Sequence, residues 1–132
     1  MKKLYIKPSF KSPKIEFDPE NNFYEISGRS LPEDVTEIYE PVFEWVDKYI
    51  PEISEKIQLV FRIDYLNSAS AKMISMLLNK LEGFYQAGAQ IVIHWYYDPD
   101  DEDFIFEIEN FSSFTKIPFK LIPFDDDEGT FN

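Results

Sequence analysis

Asn67-Ser68-Ala69-Ser70 puts a carboxamide and two hydroxyls into four residues, a combination with two chemical uses. A side-chain oxygen here can accept from the backbone N–H groups that open a helix and have no partner inside it. A hydroxyl in the same place can also carry a phosphoryl group, whose charge is stabilised by the positive end of a helix dipole. A cap and a phosphorylation site thus share one signature, and Asn67, Ser68 and Ser70 all qualify as caps.

Other residues offer weaker chemistry. His94 is the single histidine, set between Ile93 and Trp95, so any Ser-His-acid triad would have to be built on it. The chain has neither a nucleophile elbow nor a glycine-rich oxyanion loop to go with it. The acids Asp98, Asp100, Asp101, Glu102 and Asp103 could hold Mg²⁺ or Ca²⁺ through oxygen. They lack the alternating ligands, central glycine and final glutamate of a calcium loop, and capping and solubility explain them at lower cost. The four glycines are scattered, so neither a phosphate-binding loop nor a dinucleotide fingerprint is present.

The Asn67 turn needs two elements to hold it. Upstream, residues 57–63 form an apolar, β-prone run suited to a buried strand. Downstream, Ala71, Ile74, Leu77, Leu78, Leu81, Phe84 and Tyr85 recur at helical spacing, with Lys72, Asn79, Lys80, Glu82 and Gln86 on other faces. Gly88 is the better candidate for the end of that helix. Residues 90–96 are a second β-prone run, and the three segments together predict a parallel, right-handed strand-helix-strand unit. Trp95, Tyr96 and Tyr97 must alternate faces, so at least one of these rings points outward or covers a helix.

Before this unit, residues 14–17 and 23–27 alternate apolar and polar around a turn-rich loop and predict a hairpin. Gly28, Arg29 and Ser30 read as the break after it. Pro32 and the acids Glu33, Asp34 and Glu37 then open a helix that runs to Pro51, with a kink or local break expected at Pro41. After the strand over residues 90–96, an acidic turn leads into a short third helix over 104–114, and residues 118–122 read as a last strand. Residues 1–13 are an arm or an edge strand, 14–123 a single domain, and 124–132 an acidic tail.

At 132 residues, 44% hydrophobic and 17% aromatic, the chain has enough apolar material for one packed core. A net charge of −12 opposes binding to nucleic acid and to anionic lipid. With no cysteine, disulfides and thiolate chemistry are excluded, and the cytoplasm is the default compartment. There is no signal peptide and no run of membrane-spanning length.

The chain resembles the SiaC family of bacterial regulatory phosphoproteins. The likeness runs from Ser12-Pro13-Lys14-Ile15-Glu16-Phe17-Asp18 through Ile26-Ser27-Gly28-Arg29-Ser30 and Leu31-Pro32-Glu33-Asp34 to Trp95-Tyr96-Tyr97-Asp98 and Asp100-Asp101-Glu102-Asp103. Its most specific part is Asp64-Tyr65-Leu66-Asn67-Ser68-Ala69-Ser70-Ala71-Lys72, similar to the family's Tyr-Phe-Asn-Thr-Ser-Ser-Ala-Lys. The resemblance implies an α/β, STAS-like single domain with a small mixed β-sheet and helices packed on it. It also implies that Ser68, in the place of the family's Thr, is the phosphoacceptor, while Ala69 removes an alternative hydroxyl.

The implied partners are a HATPase-type serine/threonine kinase, a PP2C-type phosphatase and a diguanylate cyclase. The unphosphorylated form would activate the cyclase, and no cofactor is expected. In that picture the chain is no enzyme, and Tyr65, Leu66, Asn67, Ala69, Ser70 and Lys72 border the partner contact, with Lys72 set to pair with the phosphate. Two alternatives stand beside it: a metal-dependent enzyme built on the acids from Asp98 to Asp103, and a constitutive scaffold in which Ser68 is only a cap; a homodimer is an assembly open to the chain in the main reading.

Overall fold

Residues 2–124 are described in the computed structural model. In chain order they form β1 (Leu4–Ile6), β2 (Lys14–Asp18), β3 (Phe23–Ser30), α1 (Val35–Tyr49), a 3-10 turn (Ile50–Glu52), β4 (Ile57–Leu66), α2 (Ser68–Gln86), β5 (Ile91–Tyr97), α3 (Glu102–Ser113) and β6 (Phe119–Pro123). The six strands lie in one sheet in sequence order. β1, β2 and β3 pair antiparallel, and β3 to β6 pair parallel, so the mixed α/β class and both the hairpin and the strand-helix-strand unit are as expected. The expected acidic tail lies, beyond Phe124, outside the described residues.

All three helices cover one face of the sheet. Each parallel crossover feeds the next neighbouring strand, and right-handed connections then return to the same side. The core records this: Trp45 and Val46 of α1 and Leu77 and Leu81 of α2 meet Phe17, Tyr24, Leu59 and Ile91 of the sheet. Further along, Trp95 stacks on Phe61 of β4 and on Phe111 of α3, with ring centres 4.2 and 5.4 Å apart. The opposite face carries alternating charge: Lys14 reaches Glu25 at 2.8 Å, and Arg62 lies 3.8 Å from the centre of the Tyr96 ring. Tyr96 is thus the outward ring expected of the aromatic run in β5.

The N-terminal arm is an edge strand fastened at several points. β1 pairs with β2, Lys3 reaches Glu16 at 2.9 Å, and the Trp45 indole N–H donates to the Lys2 carbonyl at 2.7 Å. α1 runs without interruption through Pro41, so the local break does not occur. Tyr39, Val42, Trp45 and Val46 are buried on both sides of the proline, and their packing holds the two halves in one helix.

The break expected at Gly28, Arg29 and Ser30 also does not occur. β3 continues to Ser30 because β4 carries one extra residue there: Gly28 faces Ile63, Arg29 faces Tyr65, and Asp64 is the unmatched residue of a bulge. Gly28 has φ +96°, a region open to glycine at little cost. The extra residue shifts the alternation of faces, so Tyr65 lies beside Arg29 and exposed, while Ser30 beyond them is buried.

Candidate functional site

The bulge delivers β4 to a turn that is fixed from both sides. The Asn67 N–H donates to the Ser30 carbonyl at 3.0 Å, which ties the end of β3 to the start of α2. Asn67 is extended, with φ −82° and ψ 172°, and its side-chain oxygen accepts from the Ser70 N–H at 2.8 Å. Asn67 is therefore the cap of α2. Ser68 is the first helical residue; it is exposed, and its hydroxyl has no hydrogen-bond partner among the described residues. The scaffold reading, with Ser68 as the cap, loses its basis.

Asn67→Ala should cost about 1 kcal/mol of stability, while Ser68→Ala should stay within about 0.5 kcal/mol of the parent. Urea unfolding of the two variants checks this, and a larger loss for Ser68→Ala would return the capping role to Ser68.

Ser70 is a correction to the expected contact set and to the expected caps. It is fully buried, and its hydroxyl accepts from the Ser30 hydroxyl at 2.7 Å; Ser30 in turn shares a 2.7 Å hydrogen bond with the Tyr39 hydroxyl. This buried chain of three hydroxyls joins β3, α1 and α2 beneath the turn, so Ser70 positions Ser68 and does not meet a partner. Burial pushes the Tyr39 phenol above its ordinary range, which keeps it a neutral participant. Residue types and spacing do not connect Ser30 and Tyr39 to the turn, although Ser70 carries a usable signal. It precedes Ile74, Leu77 and Leu81 by four, seven and eleven residues, the spacing of the buried stripe.

The remaining candidates stay together at this end of the sheet. Ala69 and Lys72 are exposed on the first turn of α2, Leu66 and Asn67 are half-buried, and Tyr65 is 48% exposed. The Arg29 guanidinium lies over two rings, 5.0 Å from the centre of Phe10 and 5.8 Å from that of Tyr65. Phe10 is 76% exposed, so this aromatic and cationic cluster faces outward. His94 is elsewhere: it is paired with Val60 and Lys120 in mid-sheet, on the face away from α2. Burial, followed by Lys120 and Lys56, lowers its pKa, and it has no geometry for a triad with Ser68.

The acids after β5 are used as local structure. Asp98 accepts from the Asp100 N–H at 2.9 Å, and Asp101 caps α3 by accepting from the Phe104 N–H at 3.1 Å. Among the described residues no three acids or histidines are placed to hold a metal ion, which removes the ligand set of the metal-enzyme alternative. No helix there is long and apolar enough to cross a membrane.

Asp64, Asp101, Asp103 and Glu107 instead line an open groove of about 260 Å³ with Tyr65, Leu66 and Phe104. Burial raises the pKa of Glu107, and burial raises that of Asp64 against the opposing pull of Arg29. A carboxyl raised in the fold destabilises it while charged, and the penalty disappears as pH falls through the folded pKa. Glu107→Gln should therefore melt higher than the parent at pH 7, with the advantage gone near pH 4; equal melting at both pH values would refute it.

The chain is similar to known proteins in sequence and in fold. The model of the SiaC family of regulatory phosphoproteins matches residues 6–124. An uncharacterized protein of Pseudomonas aeruginosa strain UCBPP-PA14 is 28% identical over 121 residues, which span 92% of this chain and 96% of that protein. The crystal structure of apo-SiaC from Pseudomonas aeruginosa superposes with a TM-score of 0.84 at 27% identity, covering 92% of this chain and 99% of that one. SiaC in the crystal structure of the diguanylate cyclase SiaD in complex with its activator SiaC, from the same organism, gives 0.86 at 27% identity over 92% and 99%.

Proposed function

We propose, from the premise that the chain belongs to the SiaC family of regulatory phosphoproteins, that it is a non-enzymatic switch that activates a diguanylate cyclase in the cytoplasm until Ser68 is phosphorylated. The observation that carries the proposal is the exposure of Ser68 on a helix start whose capping is done by Asn67. The hydroxyl is accessible, and modifying it costs the fold no hydrogen bond. The first turn of α2 also holds no acid, whereas α1 has Glu37 there and α3 has Glu102 and Asp103. In a chain of 25 acids this leaves the dipole of α2 free for a phosphate.

A HATPase-type kinase would break the bond between the γ-phosphoryl group of ATP and ADP and form one to Ser68 Oγ, whose proton passes to a base. A PP2C-type phosphatase would hydrolyse that ester to serine and inorganic phosphate. The modification adds about −1.5 to −2 charges at pH 7 and three acceptor oxygens. Tyr65, Leu66, Asn67, Ala69 and Lys72 surround the site and form the contact with the cyclase, so the added bulk and charge block docking without unfolding the domain. SiaC bound to SiaD as its activator is the precedent for such a partner.

The test is cyclase activity with purified components. The unmodified chain and Ser68→Ala should both stimulate synthesis of cyclic di-GMP, kinase with ATP should silence only the former, and phosphatase should restore it. Full stimulation by chain carrying phosphate at Ser68 would overturn the proposal.

A further inference from the structure

We propose that Arg29 is the phosphate-binding residue of this switch: when Ser68 carries a phosphoryl group, the guanidinium leaves the rings of Phe10 and Tyr65 and pairs with it. The inference rests on Ser68 as the phosphoacceptor and adds the residue that reads the modification.

Position is the first ground. Arg29 immediately precedes Ser30, and Asn67 immediately precedes Ser68; the Asn67 N–H to Ser30 carbonyl hydrogen bond at 3.0 Å joins the two strands at that point. Arg29 and Ser68 therefore each lie one residue from a single cross-strand bond, at the end of the sheet where β3 and β4 both stop. An arginine side chain that is exposed, on a strand about to end, can turn around that end.

Availability is the second ground. Among the described residues Arg29 has no carboxylate within ion-pair distance, and its contacts are the Phe10 and Tyr65 rings. The other cations of this region are engaged or of another kind. Arg62 is held by Glu25 at 3.5 Å and by the Tyr96 ring. Lys11 lies 3.7 Å from Glu33, and Lys14 reaches Glu25. Lys72, one turn along α2, is exposed, but it offers a point charge without the planar fork that matches two phosphate oxygens. Asp64, on the bulge, feels the Arg29 charge and competes for it.

Chemistry gives the direction. A cation over an exposed ring is weakly held, whereas a bidentate guanidinium–phosphate pair is short, charge-assisted and stronger. Capture also uncovers Tyr65, a proposed contact residue, so the same event that adds charge rearranges the docking surface.

The experiment uses the full chain synthesised with phosphoserine at position 68, titrated by phosphorus NMR, so it does not depend on any kinase. The second pKa of the phosphate should lie about one unit below its ordinary value of about 6. Arg29→Gln should return most of that shift and Arg29→Lys part of it, while Lys72→Gln and Phe10→Leu keep it. Arg29 is exposed, so these variants should melt with the parent. An ordinary pKa in the parent overturns the inference, as does a shift unchanged in Arg29→Gln or one removed by Lys72→Gln alone. The switch itself fails by a different reading, namely full cyclase stimulation by the phosphoserine chain whatever its titration.

Discussion

Trp95→Ala is expected to cost about 3–5 kcal/mol of folding stability, the largest loss of any single truncation in the core. Trp95 is fully buried in a run of rings: Phe61 lies 4.2 Å away at 12°, Phe111 5.4 Å away at 18° and Phe119 6.3 Å away at 19°, while Phe104 meets it edge-on. Alanine would empty the space between β4, β6 and α3, and α3 would lose the platform that holds it on the sheet. The indole N–H has no partner among the described residues. A buried donor left unpaired is itself costly, so Trp95→Phe removes that penalty along with some ring area and should lose no more than about 1.5 kcal/mol. Urea unfolding of both variants at constant m-value measures the contrast. Equal losses would mean that the N–H is satisfied or that the site collapses around alanine.

Trp95 also shows what the sequence could carry. Residues 90–96 are β-prone enough to identify the strand, and alternation along it puts Trp95 and Tyr96 on opposite faces, as found. The hairpin, the parallel unit and the two later helices were legible for the same reason: each follows a local period of two or of 3.6. The fate of Gly28, Arg29 and Ser30 was not legible. Their composition is that of a turn, and only the bulge at Asp64, on a strand more than thirty residues later, lets β3 run on. That is a tertiary pairing, and no local window contains it. At Pro41 local preference argued for a break, and the burial of Tyr39, Val42, Trp45 and Val46 outweighed it.

The turn proposed as the switch was legible only in part, because small polar residues give no direction. Asn67, Ser68 and Ser70 look interchangeable as caps, yet one caps, one faces solvent and one is sealed in the core. What separates them is the helical phase counted back from Ile74, together with a hydroxyl on β3 forty residues earlier in the chain. The family motif supplied Ser68 where the residue types alone left a choice, and the same motif gave no reason to single out Arg29.

That separation leads to the second large effect. Ser70→Asp is expected to lose about 3–5 kcal/mol of stability, the cost of an uncompensated buried charge. Ser68→Asp should stay within about 0.5 kcal/mol of the parent. Ser70 has no exposed surface, and the space around its hydroxyl is occupied by Ser30, which is itself shared with Tyr39. A carboxylate there would have two hydroxyls for company and no cation, in a position cut off from water. At Ser68 the same carboxylate sits in solvent at the positive end of α2. The two substitutions add one identical group two residues apart, so thermal melts of the pair isolate burial from chemistry. In the cyclase assay Ser68→Asp should then fail to stimulate while melting like the parent, since its defect is in docking. Ser70→Asp should fail only because it unfolds, and lowering the temperature below its melt should recover stimulation. A stable Ser70→Asp would dismantle the buried hydroxyl chain as the support of the turn, and a Ser68→Asp that stimulates fully would leave charge at that hydroxyl without a role in docking.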